Sequence, residues 1–327
     1  MNDLLDTRVP LFSLDRRKST ILRGIAIFYV LLGHAGYFYW GGAGGVALFL
    51  MLSGYGLDRS NEVNGLEGFW RKRALKVWLP YVLVGIFNVV ALRAEGALQI
   101  LCSVTGLDLG RNIDRSMWYI SYILLWYVLF YLSVLLTRRI SRESLRLWAR
   151  FALLLLAVPG VIWLDKQNIW NPSAGAGNYA IFFPMGVALS ALSRVRVSER
   201  LRRLVWMGLF FLASAYMFRV YGLLWTTRSA LALALQVLAP SQLLKIGGGA
   251  ERVLLWFGKY SYPIYLFEMT VRDHRGEWLE YLIFQPLVDV FYILLSALFA
   301  FAFWECWLLL EDILTALLSK ARRKAEE

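Results

Sequence analysis

Residues 23–36 read RGIAIFYVLLGHAG, an apolar run with an arginine at its start and a histidine near its end. The run belongs to an apolar block over residues 21–40, which is long enough for a helix to cross about 30 Å of hydrocarbon. The chain has 2 histidines, and His34 is one of them. Because an ionisable group is costly inside a membrane, its presence in such a block indicates a functional role.

The composition of the whole chain shows the same apolar character. Of 327 residues, 59% are hydrophobic and 18% are charged, whereas a soluble protein has about a quarter charged residues. Apolar blocks separated by charged or Gly/Pro-rich breaks predict an all-α, polytopic transmembrane helix bundle of about ten spans. Because two of the blocks are short and Pro240 interrupts the eighth, totals of nine and eleven spans remain alternatives. The predicted spans are residues 21–40, 43–57, 74–92, 116–137, 148–164, 179–193, 204–221, 228–246, 253–271 and 285–310.

The basic residues predict the orientation of these spans. Most of the 35 Lys and Arg residues fall in the leader, in alternate loops and in the tail. Because basic loops favour the cytoplasmic side, both termini are predicted to be cytoplasmic in a multi-pass protein of the plasma (inner) membrane. The net charge of +12 is dispersed over short loops rather than gathered in a basic domain, which argues against a nucleic-acid partner.

The chain is predicted to form a single integral membrane domain over residues 1–327, with a cytoplasmic leader (1–20) and a basic cytoplasmic tail (312–327). No small-residue cleavage site follows the first apolar block, so the first helix is expected to remain in the mature protein. Cys102 and Cys306 are far apart and are predicted to be free thiols.

Arg23 and His34 are predicted to share one face of the first helix. Eleven residues rise about 16 Å along a helix and end about 20° from the starting direction. Two ionisable groups on one face suggest a polar path through the membrane. Two alternatives stay open: Arg23 extends to the lipid headgroups, or His34 is a buried histidine bonded to a backbone carbonyl.

The second block, GGAGGVALFLMLSGYGL (41–57), is rich in glycine at its start and carries Ser53, Gly54 and Tyr55 near its end. Glycines let helix backbones approach closely, so this helix is expected to pack tightly against the face that bears His34. Small-residue packing without chemistry is the alternative.

A basic cluster begins the third block, in the stretch FWRKRALKVWLPY (69–81). Arg73 and Lys76 are three residues apart and share a face of an α-helix. With Arg71 they form a cytoplasmic cluster suited to binding phosphate through charge-assisted hydrogen bonds. An ordinary cytoplasmic anchor is the alternative.

Together these segments resemble the acyltransferase 3 family of integral membrane acyltransferases. An Arg, ten residues and a His match its first motif at Arg23 and His34, and FLMLSGY (49–55) is similar to its Phe-Phe-x-x-Ser-Gly-aromatic motif. The basic cluster, SMWYISYILLWYVLFY, FFPMGVAL and GKYSYPIYLFE resemble later motifs in the same order. The chain departs from the pattern at Leu50, at Pro80, which comes one residue late, and at Glu268, where a His is common.

The resemblance implies transfer of an acyl group, usually acetyl from acetyl-CoA, to a hydroxyl of a glycan or glycolipid. His34 would accept the hydroxyl proton, because imidazole titrates near physiological pH. Arg23 would bind donor phosphate or pantetheine carbonyl groups, or stabilise the developing oxyanion. The predicted contacts of the CoA phosphates are Arg71, Arg73 and Lys76.

Other residues are assigned roles with alternatives left open. Glu268 either orients His34 or pairs with an arginine. Trp118 either stacks on a sugar ring or anchors the helix at the membrane interface. Asp289 and Glu305 are expected to be structural partners, and His274 a solvated loop residue. The predicted substrate-binding residues outside the basic cluster are Ser53, Tyr55, Trp118 and Tyr262.

Sequence motifs for other chemistries are missing: there is no metal-ligand spacing, no Walker-type phosphate loop and no Gly-x-Ser-x-Gly elbow. The sequence therefore predicts neither a metal site nor a bound cofactor, and acyl-CoA, an acceptor glycan and membrane lipids are the expected partners. A transporter of lipid-linked sugars or acyl compounds is the alternative function. Neither the acceptor, the length of the acyl chain nor the oligomeric state follows from the sequence.

Overall fold

The computed structural model describes residues 8–38, 41–219, 227–278 and 285–326. Several predicted features extend beyond these ranges: residues 1–7 of the leader, 39–40 and 220–221 at the ends of two spans, and Glu327 of the tail lie outside the described residues. Within the described ranges the chain is helical except for loops, short turns and two strands, which confirms the all-α prediction.

The helices follow the predicted apolar blocks closely. Each predicted span overlaps one helix, except that the ninth is divided at Tyr260 between two helices, and the first reaches beyond its helix, which ends at His34. One further helix, α4, lies where a loop was predicted. The helices are α1 Arg16–His34, α2 Gly41–Asn64, α3 Phe69–Ala91, α4 Ala97–Thr105, α5 Trp118–Thr137, α6 Glu143–Lys166, α7 Phe182–Leu192, α8 Glu199–Arg219, α9 Thr227–Leu243, α10 Gly248–Lys259, α11 Ser261–Trp278 and α12 Gln285–Glu326.

By length and composition, 5 helical stretches of the described residues could cross a membrane. The helix α1 carries Arg16, Arg17, Lys18 and Arg23, and this charge keeps it out of that group even though its middle is apolar. The count of about ten spans and the cytoplasmic termini remain predictions. The five stretches are Phe69–Ala91, Arg115–Thr137, Glu143–Lys166, Glu199–Arg219 and Pro286–Ile313.

The chain divides into two compact units, and the single integral membrane domain over residues 1–327 stays a prediction. Unit 1 consists of residues 1–67 and 121–259, and unit 2 of residues 68–120 and 260–327. Helix α5 begins in unit 2 and continues in unit 1.

Glycines set the helix packing in unit 1. A Cβ on Gly45 of α2 would lie 2.5 Å from the carbonyl oxygen of Ala26 in α1. A Cβ on Gly54 would collide with the carbonyl oxygen of Phe183 in α7. Since neither position leaves room for a side chain, α2 lies backbone to backbone against both neighbours, as small residues allow.

Two of the weaker family-like motifs meet in the core of unit 1. Trp126 of α5 stacks on Phe183 of α7, with ring centroids 5.3 Å apart and planes inclined by 15°. Tyr122 meets Trp170 edge to face at 5.0 Å. All four rings are buried, so these motifs build the core of this unit.

Residues 8–14 form an ordered N-terminal strap in unit 1, where the sequence suggested a polar leader. Strand β1 (Arg8–Pro10) pairs antiparallel with β2 (Arg196–Ser198). The strap continues with Trp206 Nε1 donating to the carbonyl of Leu11 at 2.7 Å and the Ser13 amide donating to Gln242 Oε1 at 2.8 Å. Helices α8 and α9 therefore each satisfy one backbone group of the strap.

Phe12 anchors the strap because its side chain is completely buried. Its ring packs against Tyr55 of α2 at 5.5 Å and against Trp206 of α8 at 5.6 Å. The strap thus ties α2 and α8 together through one aromatic side chain.

Replacement of Phe12 by alanine is expected to destabilise unit 1 by about 3–5 kcal/mol, because it leaves a cavity in a buried aromatic cluster. Thermal unfolding of the purified protein in detergent measures this loss. The Phe12→Leu variant, which fills most of the space, is the control and should lose much less. Equal unfolding midpoints for Phe12→Ala and wild type would show that the strap does not stabilise the fold.

In unit 2, helix α4 packs across α3 in a region predicted to be a loop. The Tyr81 hydroxyl donates to the carbonyl of Ser103 at 2.7 Å, and Trp78 Nε1 donates to that of Thr105 at 2.9 Å. Gly85 gives the crossing point, since a Cβ there would strike the Ser103 carbonyl. These bonds satisfy carbonyls that a nine-residue helix leaves open at its end.

Helices α11 and α12 form the rest of unit 2. The ring of Phe267 stacks on Phe299 at 6.1 Å and meets Phe303 edge to face at 5.4 Å. Tyr260, at the point where the ninth predicted span divides, donates from its hydroxyl to Glu305. Glu305 is therefore a structural partner, as expected.

Candidate active site

The pair Arg23 and His34, called here the first-helix pair, lies on α1 in unit 1. Asp15 caps this helix by accepting from the Lys18 amide at 2.7 Å, and His34 is its last residue. Arg23 is exposed and His34 half-buried, while Ile27 and Val30, which lie between them on the same face, are buried. The face that carries the pair thus turns towards protein along its middle.

Two helices of unit 1 pack on either side of the first-helix pair. Helix α2 meets α1 at Ala26, opposite Gly45, and α10 meets α1 at Gly24, opposite Leu254. At 100° per residue, the pair lies between these two contact directions. The glycines of α2 therefore pack beside the face of His34, close to the predicted arrangement.

Ser53 and Tyr55 lie far from His34. The Tyr55 hydroxyl donates to the carbonyl of Leu14 at 3.2 Å, just before α1 begins. Because the 19 residues of α1 rise about 27 Å, Tyr55 and His34 are near opposite ends of this helix. Ser53, two residues before Tyr55 in α2, is half-buried. Their predicted role in substrate binding therefore applies to the end of α1 away from His34.

The basic cluster lies at the start of α3 in unit 2. Arg71 and Lys76 are exposed, while Arg73 is half-buried with its guanidinium 5.7 Å from the ring centre of Phe69. Residues Ala74–Trp78 form a π-helical segment inside α3. This wider turn increases the angular offset between Arg73 and Lys76 beyond that of an α-helix, in which they were predicted to share a face.

The π-helical segment precedes Pro80, which has no amide hydrogen to donate to the preceding turn. In this segment the Tyr262 hydroxyl donates to the carbonyl of Val77 at 2.6 Å. A π-helical turn holds one residue more than an α-helical turn. This agrees with the sequence, in which Pro80 comes one residue later than in the motif that it resembles. Tyr262, a predicted substrate-binding residue, here fixes the backbone beside Lys76.

A buried polar network joins three parts of unit 2. Asp114 accepts from the Ser116 amide at 2.8 Å and from its hydroxyl at 2.7 Å. The Asn88 amide donates to Asp114 at 3.4 Å, and Thr270 donates to Asn88 at 2.8 Å. The network connects α3, the turn before α5, and α11.

Glu268 of α11 is completely buried in unit 2. The Tyr292 hydroxyl of α12 donates to its Oε2 at 2.6 Å. Its predicted roles, orienting His34 or pairing with an arginine, remain predictions. His274, expected in a solvated loop, lies within α11 instead, and its Nδ1–H donates to the Thr270 carbonyl at 2.9 Å.

Trp118 is buried at the start of α5, with its ring edge to face with Tyr119 at 6.0 Å. Tyr119 meets Tyr265 of α11 at 5.7 Å, and the Tyr265 hydroxyl donates to the carbonyl of Ser116. These contacts place Trp118 beside the polar network of unit 2. Its two predicted roles, stacking on a sugar ring and anchoring the helix at the membrane interface, both remain predictions.

The Asp114 carboxyl has a pKa raised to about 7. Burial is the main cause, hydrogen bonds from Ser116 oppose it, and the nearby Glu268 carboxyl adds to it. An aspartate in the unfolded chain titrates near pH 4. The folded state therefore holds this proton more tightly, and the stability that it contributes below about pH 4 is lost as pH rises through about 7.

Replacing Asp114 with asparagine is expected to flatten the fall in stability between about pH 4 and 7. The measurement is the thermal unfolding midpoint across this pH range in detergent. Asp312→Asn, which changes an exposed carboxyl, is the control and should keep the wild-type slope. Identical slopes for Asp114→Asn and wild type would contradict the assignment.

Several polar residues of unit 2 were missed in the sequence, namely Asn88, Thr270 and Tyr292. Asn88 interrupts the apolar stretch GIFNVV of the third predicted span, and such a residue signals a buried hydrogen-bond partner.

Within the described ranges, no group of three His, Cys, Asp or Glu side chains is placed to hold a metal ion.

A family model described as an acyltransferase domain matches residues 16–305. The matched range includes the first-helix pair, the basic cluster and Glu268, and it extends over parts of both units. The comparisons with curated proteins and with solved structures gave no match.

Proposed function

The chain belongs to the acyltransferase domain family, and from this membership we propose an acyl-CoA-dependent O-acyltransferase of the plasma (inner) membrane. The acyl group, in the first instance acetyl, passes from cytoplasmic acyl-CoA to a hydroxyl of a cell-surface glycan, exopolysaccharide or lipid-linked sugar. The observation that carries the proposal is the first-helix pair, an Arg and a His on one helix face whose middle is buried.

His34 acts as the general base in this proposal. Its neutral imidazole accepts the proton of the acceptor hydroxyl while the oxygen attacks the thioester carbonyl. The carbon–sulfur bond then breaks, the CoA thiolate leaves, and the imidazolium returns the proton to the sulfur. An ester and free CoA thiol result, so the reaction needs no bound cofactor.

Arginine and lysine side chains bind the donor. Arg23 binds the phosphate or pantetheine carbonyl groups, or stabilises the oxyanion of the tetrahedral intermediate. Arg71, Arg73 and Lys76 bind the CoA phosphates, which guanidinium groups contact in bidentate geometry. The exposure of Arg71 and Lys76 supports this role, because exposed groups are available to a ligand.

Glu268 remains a catalytic candidate. A completely buried carboxyl inside an apolar helix is costly to keep without a function, and Tyr292 fixes one of its oxygens. Trp118, Tyr262, Ser53 and Tyr55 remain candidates for binding acceptor or donor, with the contacts described above.

The test supplies labelled acetyl-CoA and a glycolipid extract from the host to membranes that contain the protein. Membranes without the protein are the control. Label in a glycan or lipid only when the protein is present supports acyl transfer and reveals the acceptor class. If folded protein transfers no label from acetyl-, succinyl- or longer acyl-CoA, the proposal fails, and measured movement of a lipid-linked sugar would favour the transporter alternative.

A further inference from the structure

A buried ion pair lies in unit 1, between two residues to which no role was assigned above. Arg150 of α6 binds Asp58 of α2 through Nη1 and Oδ1, and the two residues are 2% and 0% exposed. The Arg150 guanidinium also lies 5.7 Å from the ring centre of Phe130 in α5. Two charges taken out of solvent in an apolar surrounding call for an explanation, because their desolvation is costly.

The pair has a fixed place in the contact between α2 and α7. Gly54 faces Phe183 near the start of this contact, and Glu62 binds Arg194 at its end. Both residue numbers increase together, so the two segments run in the same direction. Asp58 lies one turn after Gly54 and one turn before Glu62, midway along this contact.

Helix α6 reaches the same row of charges. Glu143 and Arg150 are seven residues apart and therefore share one face of α6. Glu143 binds Arg194, as Glu62 does, while Arg150 binds Asp58. Two layers of ion pairs thus connect α2, α6 and the end of α7, and the Asp58–Arg150 layer is the buried one.

Each member of the pair depends on the other. Among the described residues, Asp58 Oδ2 and Arg150 Nε are buried and accept or donate no hydrogen bond. Loss of one partner would leave the other as an uncompensated buried charge. Replacement of both by apolar residues of similar size, in contrast, is often tolerated, so stability alone does not explain such a pair.

Apart from its ion pairs, the contact between α2 and α7 has little that fixes the register of one helix on the other. Helix α2 packs on α7 through Gly54 and Gly186, which have no side chain that would resist rotation or sliding of one backbone on the other. An ion pair between fixed atoms supplies that register, the best-attested role of buried polar groups. The turn of α2 that carries Asp58 directly follows Ser53 and Tyr55.

We propose that Asp58 and Arg150 are a positioning pair that sets the rotation of α2, and with it the placement of Ser53 and Tyr55, for acyl transfer. The catalytic part of this inference rests on the proposed function. The structural part does not rest on it, because it concerns the hydrogen bond by which Tyr55 holds the N-terminal strap at the Leu14 carbonyl. A rotated α2 would release that hydrogen bond.

The test uses the double variant Asp58→Leu/Arg150→Met, which should unfold near the wild-type temperature. Hydrogen exchange of residues 8–14 is measured by mass spectrometry, and kcat and KM by transfer of label from acetyl-CoA. We expect at least tenfold faster exchange and at least tenfold lower kcat. Glu199→Gln, which removes the ion pairs with Arg202 and Arg203 within α8, is the control and should leave both unchanged.

Wild-type exchange and wild-type kcat in a folded double variant would overturn the inference. If the double variant does not fold, Arg150→Lys takes its place, since it keeps the charge but loses the guanidinium geometry. It should show the same changes to a smaller degree, and wild-type values would again overturn the inference. Hydrogen exchange can be measured on an inactive protein. If the wild type transfers no acyl group, the proposed function fails, and the exchange of residues 8–14 still tests the register.

Discussion

Replacement of His34 by alanine is expected to lower the rate of acyl transfer by roughly 10²–10⁴-fold, the usual contribution of a positioned general base. The alanine variant keeps the helix, because His34 is the last residue of α1 and alanine is a good helix former. The loss should therefore appear in kcat rather than in folding. Initial rates with labelled acetyl-CoA at matched amounts of folded protein give the measurement.

The second histidine of the chain supplies the control. His274 lies within α11 and donates to a backbone carbonyl of its own helix, so His274→Ala should retain transfer within about twofold. Folding of both variants is checked by size-exclusion chromatography. A His34→Ala protein that is folded and transfers at the wild-type rate would exclude His34 as the base, and the first-helix pair would need another explanation.

A methyl group added at Gly54 is expected to destabilise the protein by about 3 kcal/mol or more. Overpacking usually costs about 1–3 kcal/mol, and here the obstacle is the Phe183 carbonyl, so two backbones must separate. The expected result for Gly54→Ala is a lower unfolding temperature in detergent and a smaller folded yield.

Gly56 is a matched control in the same helix. A Cβ there would meet nothing within 4 Å, and alanine is favoured over glycine in a helix by about 1 kcal/mol. Gly56→Ala should therefore unfold at or slightly above the wild-type temperature. If both variants unfold at the wild-type temperature, the close approach of α2 and α7 is not a feature of the folded protein.

The helices could be predicted because apolar blocks and charged breaks are local properties of the sequence. The block at 148–164, for example, lies within α6, and the block at 116–137 matches α5 and the turn before it. Helix α4 was missed because its nine residues are too short to form a span and its partners in α3 are distant in sequence. The strap was missed because the charged residues of the leader around it suggested a polar segment, and its partners in α2, α8 and α9 are distant in sequence.

Parts of the site were predictable for the same reason. The first-helix pair follows from spacing on a single helix, which needs no knowledge of its neighbours. Tyr55 could not be placed, because its distance from His34 depends on how α2 returns along α1. The Asp58–Arg150 pair joins residues 92 positions apart, at the ends of apolar blocks where charges are ordinary. Long-range pairing of that kind is not encoded in local periodicity.

The strap described above also constrains the order in which the protein assembles during synthesis. Ser13 and its partner Gln242 are 229 positions apart, which at about 5–20 residues per second separates their emergence from the ribosome by roughly 10–45 seconds. Phe12 cannot complete its buried contacts until Trp206, which is made later, has been synthesised. A segment that is made early is therefore among the last parts of unit 1 to reach its final place, and its aromatic side chain stays exposed for that interval.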